Sequence, residues 1–214
     1  LAGNEIFTGK TLLVSTGVPR KIGLPGEADL LGQGVSYCAT CDGMFYKGKS
    51  VVVVGGGDTA CEEAQYLSGL ANKVYLLVRK PYLRASDVMQ RRVLENEKIT
   101  VLFEHNAVGL YGEDGVEGVH VVKRMGEADE ERYDIAADGF FLAIGHHPNS
   151  DLFREWIEVD KEGYIVTDGK TSKTNVPGVF AAGDVQDPLY RQAITAAASG
   201  CRAALDAEKF LKML

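Results

Sequence analysis

A β-branched run followed by three glycines constrains the fold of this chain more than any other stretch. The run, Ser50 to Val54, predicts a strand that is buried on both faces of a parallel sheet. The six residues after it, Gly-Gly-Gly-Asp-Thr-Ala, match the Gly-x-Gly-x-x-Ala form of a dinucleotide-binding turn. In such a turn Gly55 makes the tight bend, Gly57 lets the backbone approach a pyrophosphate, and Ala60 packs the helix on the strand. Residues 58–67 then predict a helix whose N-terminal N–H groups face the phosphate.

Basic residues after the next predicted strand indicate the kind of nucleotide. That strand is 73–78, at whose end an NAD-binding unit places an Asp or Glu on the ribose 2′-hydroxyl. Arg79, Lys80 and Arg84 follow instead, in a chain whose net charge is −7. Cations in that place favour a 2′-phosphate, and therefore NADPH over NADH. A solvated basic helix face is the alternative, which we apply to residues 91–92. The residues expected to hold the nucleotide are Gly55, Gly57, Asp58, Thr59, Ala60, Arg79, Lys80 and Arg84.

Cys38 and Cys41 form a Cys-x-x-Cys motif ahead of the strand and the Gly-rich turn. A structural zinc site needs a second pair of ligands at metal spacing, and Cys61 and Cys201 are single, so we expect no metal. A structural disulfide would close too short a loop to stabilise the fold much. These residues favour a redox-active dithiol beside a βαβ unit. Asp42 is a candidate proton donor or acceptor for the exchange, or alternatively a turn or N-cap residue.

Length and composition indicate a globular protein of one or two domains. The chain has 214 residues, of which 45% are hydrophobic and 25% are charged. Its 30 acidic residues against 23 basic ones argue against nucleic acid or an anionic membrane surface as a partner. No apolar run approaches the roughly 18 residues of a membrane-spanning helix, and we expect no secretory signal. Four cysteines in this length suit a reducing cytoplasm, where we expect the protein to act.

The Cys-x-x-Cys and the Gly-rich turn together resemble one family. The segments Cys38-Ala39-Thr40-Cys41-Asp42-Gly43 and Gly55-Gly56-Gly57-Asp58-Thr59-Ala60 are similar to motifs of the low-molecular-weight, bacterial-type thioredoxin reductases. The resemblance implies a flavoprotein that passes electrons from NADPH through FAD and a Cys-x-x-Cys disulfide to thioredoxin. Where that family typically has His-Arg-Arg, three residues and Arg, this chain has Val78-Arg79-Lys80 and then Arg84.

The resemblance implies an α/β fold with two dinucleotide-binding domains, each Rossmann-like and three-layered. Residues 21–146 would form a complete NADPH-binding domain that carries the Cys-x-x-Cys, between FAD-domain segments at 1–20 and 147–214. Members bind the ADP half of FAD on an N-terminal strand and turn, and nothing before Thr11 matches either. We therefore expect an incomplete FAD domain and a fragment that is inactive by itself.

The second cofactor contact implied by the resemblance lies near the C-terminus. A predicted strand ends at Gly183 and Asp184, whose counterpart in the family bonds the ribityl chain of FAD. Arg191, Gln192 and Ala193 are expected to lie against the flavin ring and pyrophosphate, at the start of an Ala-rich helix. That helix N-terminus could offer N–H groups to the electron-rich edge of a reduced flavin.

Two linkers are predicted where the chain would cross between the domains. They are Pro19 to Pro25, rich in proline and glycine, and Gly145 to Asn149. We interpret the histidine pair at 146–147 as part of a hinge, and a metal site is the alternative interpretation. Other predicted elements are strands at 11–17, 99–103 and 139–145, a helix at 85–95, an antiparallel ribbon of 116–123 with 132–135, and a helix from 190 onward.

By resemblance, Cys41 lies next to the flavin, Cys38 attacks thioredoxin, and Asp42 manages the proton. The full-length protein would rotate one domain about the two linkers and would form a homodimer. Two alternatives remain open. One is another flavin-dependent disulfide reductase, linked to a peroxiredoxin. The other is a non-catalytic NADP(H)-binding redox module whose Cys-x-x-Cys signals to a partner.

Overall fold

A computed structural model describes residues 5–18 and 21–214, and Pro19, the predicted start of the first linker, lies outside them. The described residues divide into two compact units. The smaller takes its residues from Leu1–Pro19 and His146–Leu214, and the larger from Arg20–Gly145. The predicted divisions at 20/21 and 146/147 differ from these by one residue. The assignment of the units to FAD and NADPH stays a prediction.

The strands and helices of the described residues are numbered along the chain. The strands are β1 Leu12–Val14, β2 Val35–Ser36, β3 Ser50–Val54, β4 Lys73–Val78, β5 Ile99–Phe103, β6 His105–Tyr111, β7 Gly118–Lys123, β8 Glu131–Ala136, β9 Gly139–Leu142 and β10 Val179–Ala181. The helices are α1 Ala39–Asp42, α2 Asp58–Ser68, α3 Asp87–Leu94 and α4 Ala193–Leu211, with 3-10 turns at Gly43–Tyr46, Asp151–Phe153 and Asp184–Gln186.

The larger unit is built on a five-stranded parallel sheet in the order β2-β9-β3-β4-β5. The central strand β3 is buried on both faces, as its β-branched run predicts. On one face Val51 and Val53 pack with Ala64 and Leu67 of α2. On the other face Val52 packs in one cluster with Val119 of the antiparallel strand β7. The unit therefore has three layers, helices on one side of the parallel sheet and an antiparallel sheet on the other.

That antiparallel sheet has three strands in the order β6-β7-β8, where the sequence predicted a ribbon of two. The missed strand is β6, and its pairing with β7 shifts register between Ala107 and Gly109. A glycine and a bulge interrupt the alternation of apolar and polar residues by which a half-buried strand is recognised. The first strand of the parallel sheet, β2, is only two residues long and was also missed.

The smaller unit pairs β1 with β10 in parallel, with Val14 opposite Ala181. Its long helix α4 packs on β10 through Phe210, whose ring centroid lies 6.3 Å from that of Phe180. The helix begins at Ala193, whereas residue 190 was expected. The cause is Asp187, whose carboxylate accepts the backbone N–H groups of residues 189–191 and holds them in a turn.

Candidate functional site

The Gly-rich turn joins β3 to α2, and its first position requires glycine. Gly55 has a φ of +152°, and a Cβ there would overlap the carbonyl oxygen of Ala143 and lie 2.7 Å from Ala60 Cβ. Ala60 is fully buried where the helix meets the strand. Gly57 is the N-cap residue of α2, and a Cβ there would meet nothing within 4 Å. The backbone at Gly57 is therefore open to a ligand, as the approach of a pyrophosphate requires.

A cavity of about 590 Å³ lies beside this turn, where strands β3, β4 and β9 reach their C-terminal ends. Ligands of open parallel sheets bind at this edge, and the volume is that of a small-molecule site. All of its lining residues belong to the larger unit. The lining residues that the sequence predicted are Gly55, Gly57, Thr59, Arg79, Lys80 and Arg84.

The three predicted cations form an electropositive rim on this cavity. Arg79, Lys80 and Arg84 are exposed, and none of them takes part in an ion pair with any residue of 5–18 or 21–214. Arg84 is held beside the Gly-rich turn because its backbone N–H donates to the carbonyl oxygen of Gly56 at 2.6 Å. Cations without acidic partners are free to bind an anionic group such as a phosphate.

Asp58, at the start of α2, does not line the cavity. Its Oδ1 accepts hydrogen bonds from the backbone N–H of Ser86 at 2.9 Å and from the Ser86 hydroxyl at 2.8 Å. These bonds hold the pKa of Asp58 below its usual range. Because Ser86 is the N-cap residue of α3, Asp58 ties α2 to the loop that carries Arg84.

Several cavity residues were not predicted, and His105 is the most informative of them. It is buried, its Nδ1 lies 2.6 Å from the carbonyl oxygen of Phe103, and its Nε2 lies 2.8 Å from the hydroxyl of Tyr133. Both ring nitrogens are thus engaged, and the ring is fixed as part of the wall. Its place just after β5, at the C-terminal edge of the parallel sheet, is the signal that could have identified it. Other lining residues that the sequence did not predict include Lys21, Ile22, Tyr82, Asn106 and Ala107.

The second feature of this unit is a disulfide between Cys38 and Cys41, with 5.3 Å between the two Cα atoms. Cys38 is the N-cap residue of the one-turn helix α1, and its Sγ accepts the backbone N–H of Cys41 at 3.2 Å. An N–H directed at sulfur stabilises negative charge there once the disulfide opens. Cys41 is exposed and Cys38 is half-buried, so the bond can be reached from solvent.

Asp42 follows the disulfide and is oriented by a residue that the sequence did not single out. Ser36, buried in β2, donates its hydroxyl proton to Asp42 Oδ2 at 2.7 Å. The same Ser36 Oγ accepts the backbone N–H of Cys38 at 3.1 Å. The carboxylate of Asp42 is therefore fixed beside the disulfide turn rather than free in solvent.

In the smaller unit, Gly183 and Asp184 end the segment that follows β10. Gly183 has a φ of +74° and its N–H donates to Ser199 Oγ at 2.8 Å, which fixes the bend. The half-buried carboxylate of Asp184 makes no hydrogen bond to any residue in the described part of the chain. Burial raises its pKa, Asp187 raises it further, and Arg191 opposes both. Asp184 is therefore available to accept hydrogen bonds from a ligand.

Arg191, Gln192 and Ala193, which the resemblance places against the flavin, lie at the start of α4. Arg191 has a φ of +49°, and its guanidinium donates to the Tyr164 hydroxyl at 3.3 Å and to the carbonyl oxygen of Pro188. Gln192 is the N-cap residue, joined to Thr195 by reciprocal hydrogen bonds, and Ala193 is the first helical residue.

Neither a metal-binding cluster nor a membrane-spanning helix is present in residues 5–18 and 21–214. These residues contain no group of three or more His, Cys, Asp or Glu side chains arranged to hold a metal ion. No helix that they form is long and apolar enough to cross a membrane.

Comparison with known proteins identifies a family profile that covers nearly the whole chain. The profile described as "Pyridine nucleotide-disulphide oxidoreductase" matches residues 2–200. A thioredoxin reductase of Coxiella burnetii is 47% identical over 220 residues, which cover 99% of this chain and 68% of that protein. A mitochondrial thioredoxin reductase of Kluyveromyces lactis is 48% identical over 213 residues, covering 98% of this chain and 60% of that protein.

Solved structures give the same result at the level of the fold. The thioredoxin reductase of Streptococcus pyogenes superposes with a TM-score of 0.84 and 35% identity, over 95% of this chain and 66% of that one. That of Giardia duodenalis has a TM-score of 0.81 and 40% identity, over 99% of this chain and 69% of that one. The chain thus spans between 60% and 69% of the length of these four proteins.

Proposed function

This chain belongs to the pyridine nucleotide-disulphide oxidoreductase family and, within it, to the thioredoxin reductases, and from that premise we propose that the whole protein reduces thioredoxin with NADPH. FAD and the Cys38–Cys41 disulfide would lie between NADPH and thioredoxin in this reaction. The single observation that carries the proposal is the combination, within one compact unit, of an accessible disulfide and a cation-rimmed cavity at a Gly-rich turn.

NADPH fits the cavity of the larger unit. The open backbone at Gly57 and the N-terminus of α2 suit the pyrophosphate, because N–H groups at a helix start favour an anion. Arg79, Lys80 and Arg84 suit the 2′-phosphate, since they are exposed and lack acidic partners. NADH would leave these charges without a counter-ion, so the preference for NADPH follows from the same geometry.

FAD fits the smaller unit through Gly183, Asp184 and the segment 191–193. The carboxylate of Asp184 is half-buried and has no hydrogen bond to the residues described in that unit, which is what a hydroxyl-rich ribityl chain would satisfy. Gln192 and Ala193 begin α4, whose N-terminal N–H groups favour negative charge on a ligand. When bound, NADPH would supply an electron pair and FAD would relay it to the disulfide.

The protein's own residues prepare the disulfide for exchange. The N–H of Cys41 already points at Cys38 Sγ, so Cys38 is the sulfur better able to carry negative charge after the bond opens. We assign the proton of the other sulfur to Asp42, because Ser36 holds its carboxylate beside the disulfide turn. Cys38 is therefore the group that attacks the disulfide of the partner, and Asp42 assists.

A protein substrate suits the surface around the disulfide. Gly43, Met44 and Phe45 follow Asp42 in the chain, and the side chains of Met44 and Phe45 are 61% and 73% exposed. Large apolar side chains exposed beside a reactive group indicate contact with another protein rather than with a small disulfide. We expect thioredoxin to rest on these two side chains while its disulfide is reduced.

The test is turnover by the full-length gene product. Reduction of thioredoxin is followed with NADPH, with NADH as the control nucleotide, and with added FAD. Rapid turnover with NADPH, together with slow or no turnover with NADH, supports the proposal. Loss of flavin colour with NADPH but no reduction of thioredoxin would reject thioredoxin as the substrate and favour a peroxiredoxin-linked reductase. Homodimer formation and a cytoplasmic location stay predictions.

A further inference from the structure

Glu63 is a half-buried acid that the mechanism above does not use. It lies on α2, and its Oε2 is buried without a hydrogen-bond partner among the residues that the structure describes. Burying a carboxylate oxygen without a partner is unfavourable, so a group in this position needs a specific explanation.

The disulfide turn packs directly on the helix that carries Glu63. A Cβ at Gly43 would lie 3.0 Å from Tyr66 Cε1 and 3.2 Å from Leu67 Cδ2, so the backbone of the turn touches α2. Ala39, the residue after Cys38, is 1% exposed. Its backbone N–H lowers the pKa of the Glu63 carboxyl, an effect that acts only between groups lying close together. Glu63 thus lies beneath the first residues of the Cys-x-x-Cys turn.

The surroundings of Glu63 favour its neutral form. Burial raises its pKa to about 7, the N–H of Ala39 acts in the opposite direction, and the charge of Glu62 adds to the rise. No cation is among these causes. The ionisable groups on the disulfide turn and the helices around it are Cys38, Cys41, Asp42, Tyr46, Asp58, Cys61, Glu62, Tyr66, Asp87, Arg91 and Arg92. Strand β4 also packs on α2, but its Tyr75 packs on the opposite face of the sheet and its Lys73 lies over the Tyr75 ring.

We propose that Glu63 is coupled electrostatically to the Cys38–Cys41 site and binds a proton when reduction of the disulfide creates a thiolate in the turn that packs on α2. The proposal rests on the proposed function, because it takes this disulfide as the redox pair. The physical cause is repulsion: a thiolate in the turn and a half-buried carboxylate on the helix beneath it carry the same charge, so ionising one raises the pKa of the other.

The step balances in electrons and protons. The Sγ–Sγ bond breaks as two electrons enter, one sulfur takes a proton and becomes a thiol, and the other stays a thiolate. At a pH above its pKa of about 7, Glu63 is ionised before reduction and takes a second proton from solvent, so no net charge is added near the turn. When the thiolate later attacks a disulfide, the negative charge leaves and Glu63 releases its proton.

The experiment measures thiol ionisation in the chain itself. All variants carry Cys201→Ser, because Cys201 is exposed, whereas Cys61 is buried and its pKa is raised to about 11. The disulfide is reduced with dithiothreitol, and the rate of alkylation by iodoacetamide is measured between about pH 5 and pH 9. Glu63→Gln is compared with Glu63→Asp and with Glu62→Gln, the matched control on the exposed side of the same helix.

In the unsubstituted Glu63 chain, we expect the rate to rise in two steps, as in coupled titrations. Glu63→Gln should show one step, with the midpoint about half a unit to one unit lower, because a negative charge beneath the thiol has been removed. Glu63→Asp should keep two steps, and Glu62→Gln should move the midpoint by less than Glu63→Gln does. A Glu63→Gln profile that superimposes on the parent, or an equal shift in Glu62→Gln, would overturn the proposal.

The assay contains no nucleotide, flavin or thioredoxin, so its outcome is separate from the turnover test. If turnover fails but the pH profile of alkylation is altered in Glu63→Gln, the proposed substrate is rejected and the coupling of Glu63 to the thiols stands. Normal turnover with an unaltered profile would reject Glu63 alone. Circular dichroism of each variant confirms that it is folded, and glutamine is chosen because it keeps the shape of the side chain.

Discussion

Ser36 donates its hydroxyl proton to the carboxylate of Asp42 across 2.7 Å. Ser36 is 3% exposed and lies in β2, paired with Phe141 of β9, so the edge of the parallel sheet fixes its position. Because the same oxygen accepts the N–H of Cys38, the sheet holds both the first residue of the disulfide turn and the acid that follows the turn. The orientation of Asp42 is thus set before any exchange takes place.

Replacing Ser36 by alanine should slow thiol-disulfide exchange without affecting the nucleotide. A hydrogen bond to a charged group contributes about 1.5–3 kcal/mol, so we expect the kcat for thioredoxin reduction by the full-length protein to fall by roughly tenfold or more. Asp42→Asn should reduce kcat at least as much. The affinity for NADPH, measured by titration, should be unchanged in both. Full turnover in Ser36→Ala would mean that Asp42 needs no orientation by this hydroxyl.

The exposed cations should decide between the two nicotinamide nucleotides. Arg79→Ala and Arg84→Ala each remove a charged donor at the cavity rim, and we expect the Kd for NADPH to rise by about tenfold or more in each. The Kd for NADH, which has no 2′-phosphate, should change little. Arg92→Ala is the matched control, since Arg92 is exposed on α3 and outside the cavity lining. Equal losses for both nucleotides would place these side chains elsewhere on the ligand.

Alanine substitutions at two glycines of the same turn should have different effects on stability and on nucleotide binding. A Cβ at Gly55 would overlap the carbonyl oxygen of Ala143, so Gly55→Ala should lower the free energy of unfolding by about 1–3 kcal/mol. Gly57→Ala should leave that free energy nearly unchanged, because its Cβ would enter open space. It should still weaken NADPH binding, since the methyl group stands where the pyrophosphate would approach. Urea unfolding and nucleotide titration of both variants separate the two effects.

The sequence predicted the parts of this site that depend on local pattern. Strands β3, β4 and β5 have the predicted bounds because each is a short β-branched or apolar run bounded by turn residues. The contributions of Ser36 and His105 could not be predicted in this way. Each depends on which residues the parallel sheet brings together, and Ser36 lies in a strand of only two residues, too short to show a pattern. Glu63 was missed for a related reason: its burial comes from the packing of the disulfide turn on α2.

Glu63 should also make the stability of the chain depend on pH, with a definite sign. Burial raises its pKa to about 7 in the folded state, above the ordinary value of 4.5. Between these two pKa values, the folded state therefore binds more protons than the unfolded state. Stability contributed by the neutral carboxyl is fully present below the ordinary pKa and is lost as the pH rises through the folded value.

Glu63→Gln stays neutral at every pH and should escape this loss. At a pH about one unit above the folded pKa, we expect it to be more stable than the parent by on the order of 1–3 kcal/mol, and at acidic pH the difference should vanish. Urea unfolding at the two pH values measures this, with Glu62→Gln as the control that should show a much smaller dependence. A Glu63→Gln variant that is less stable than the parent at the higher pH would show that Glu63 is charged and well solvated in the folded chain.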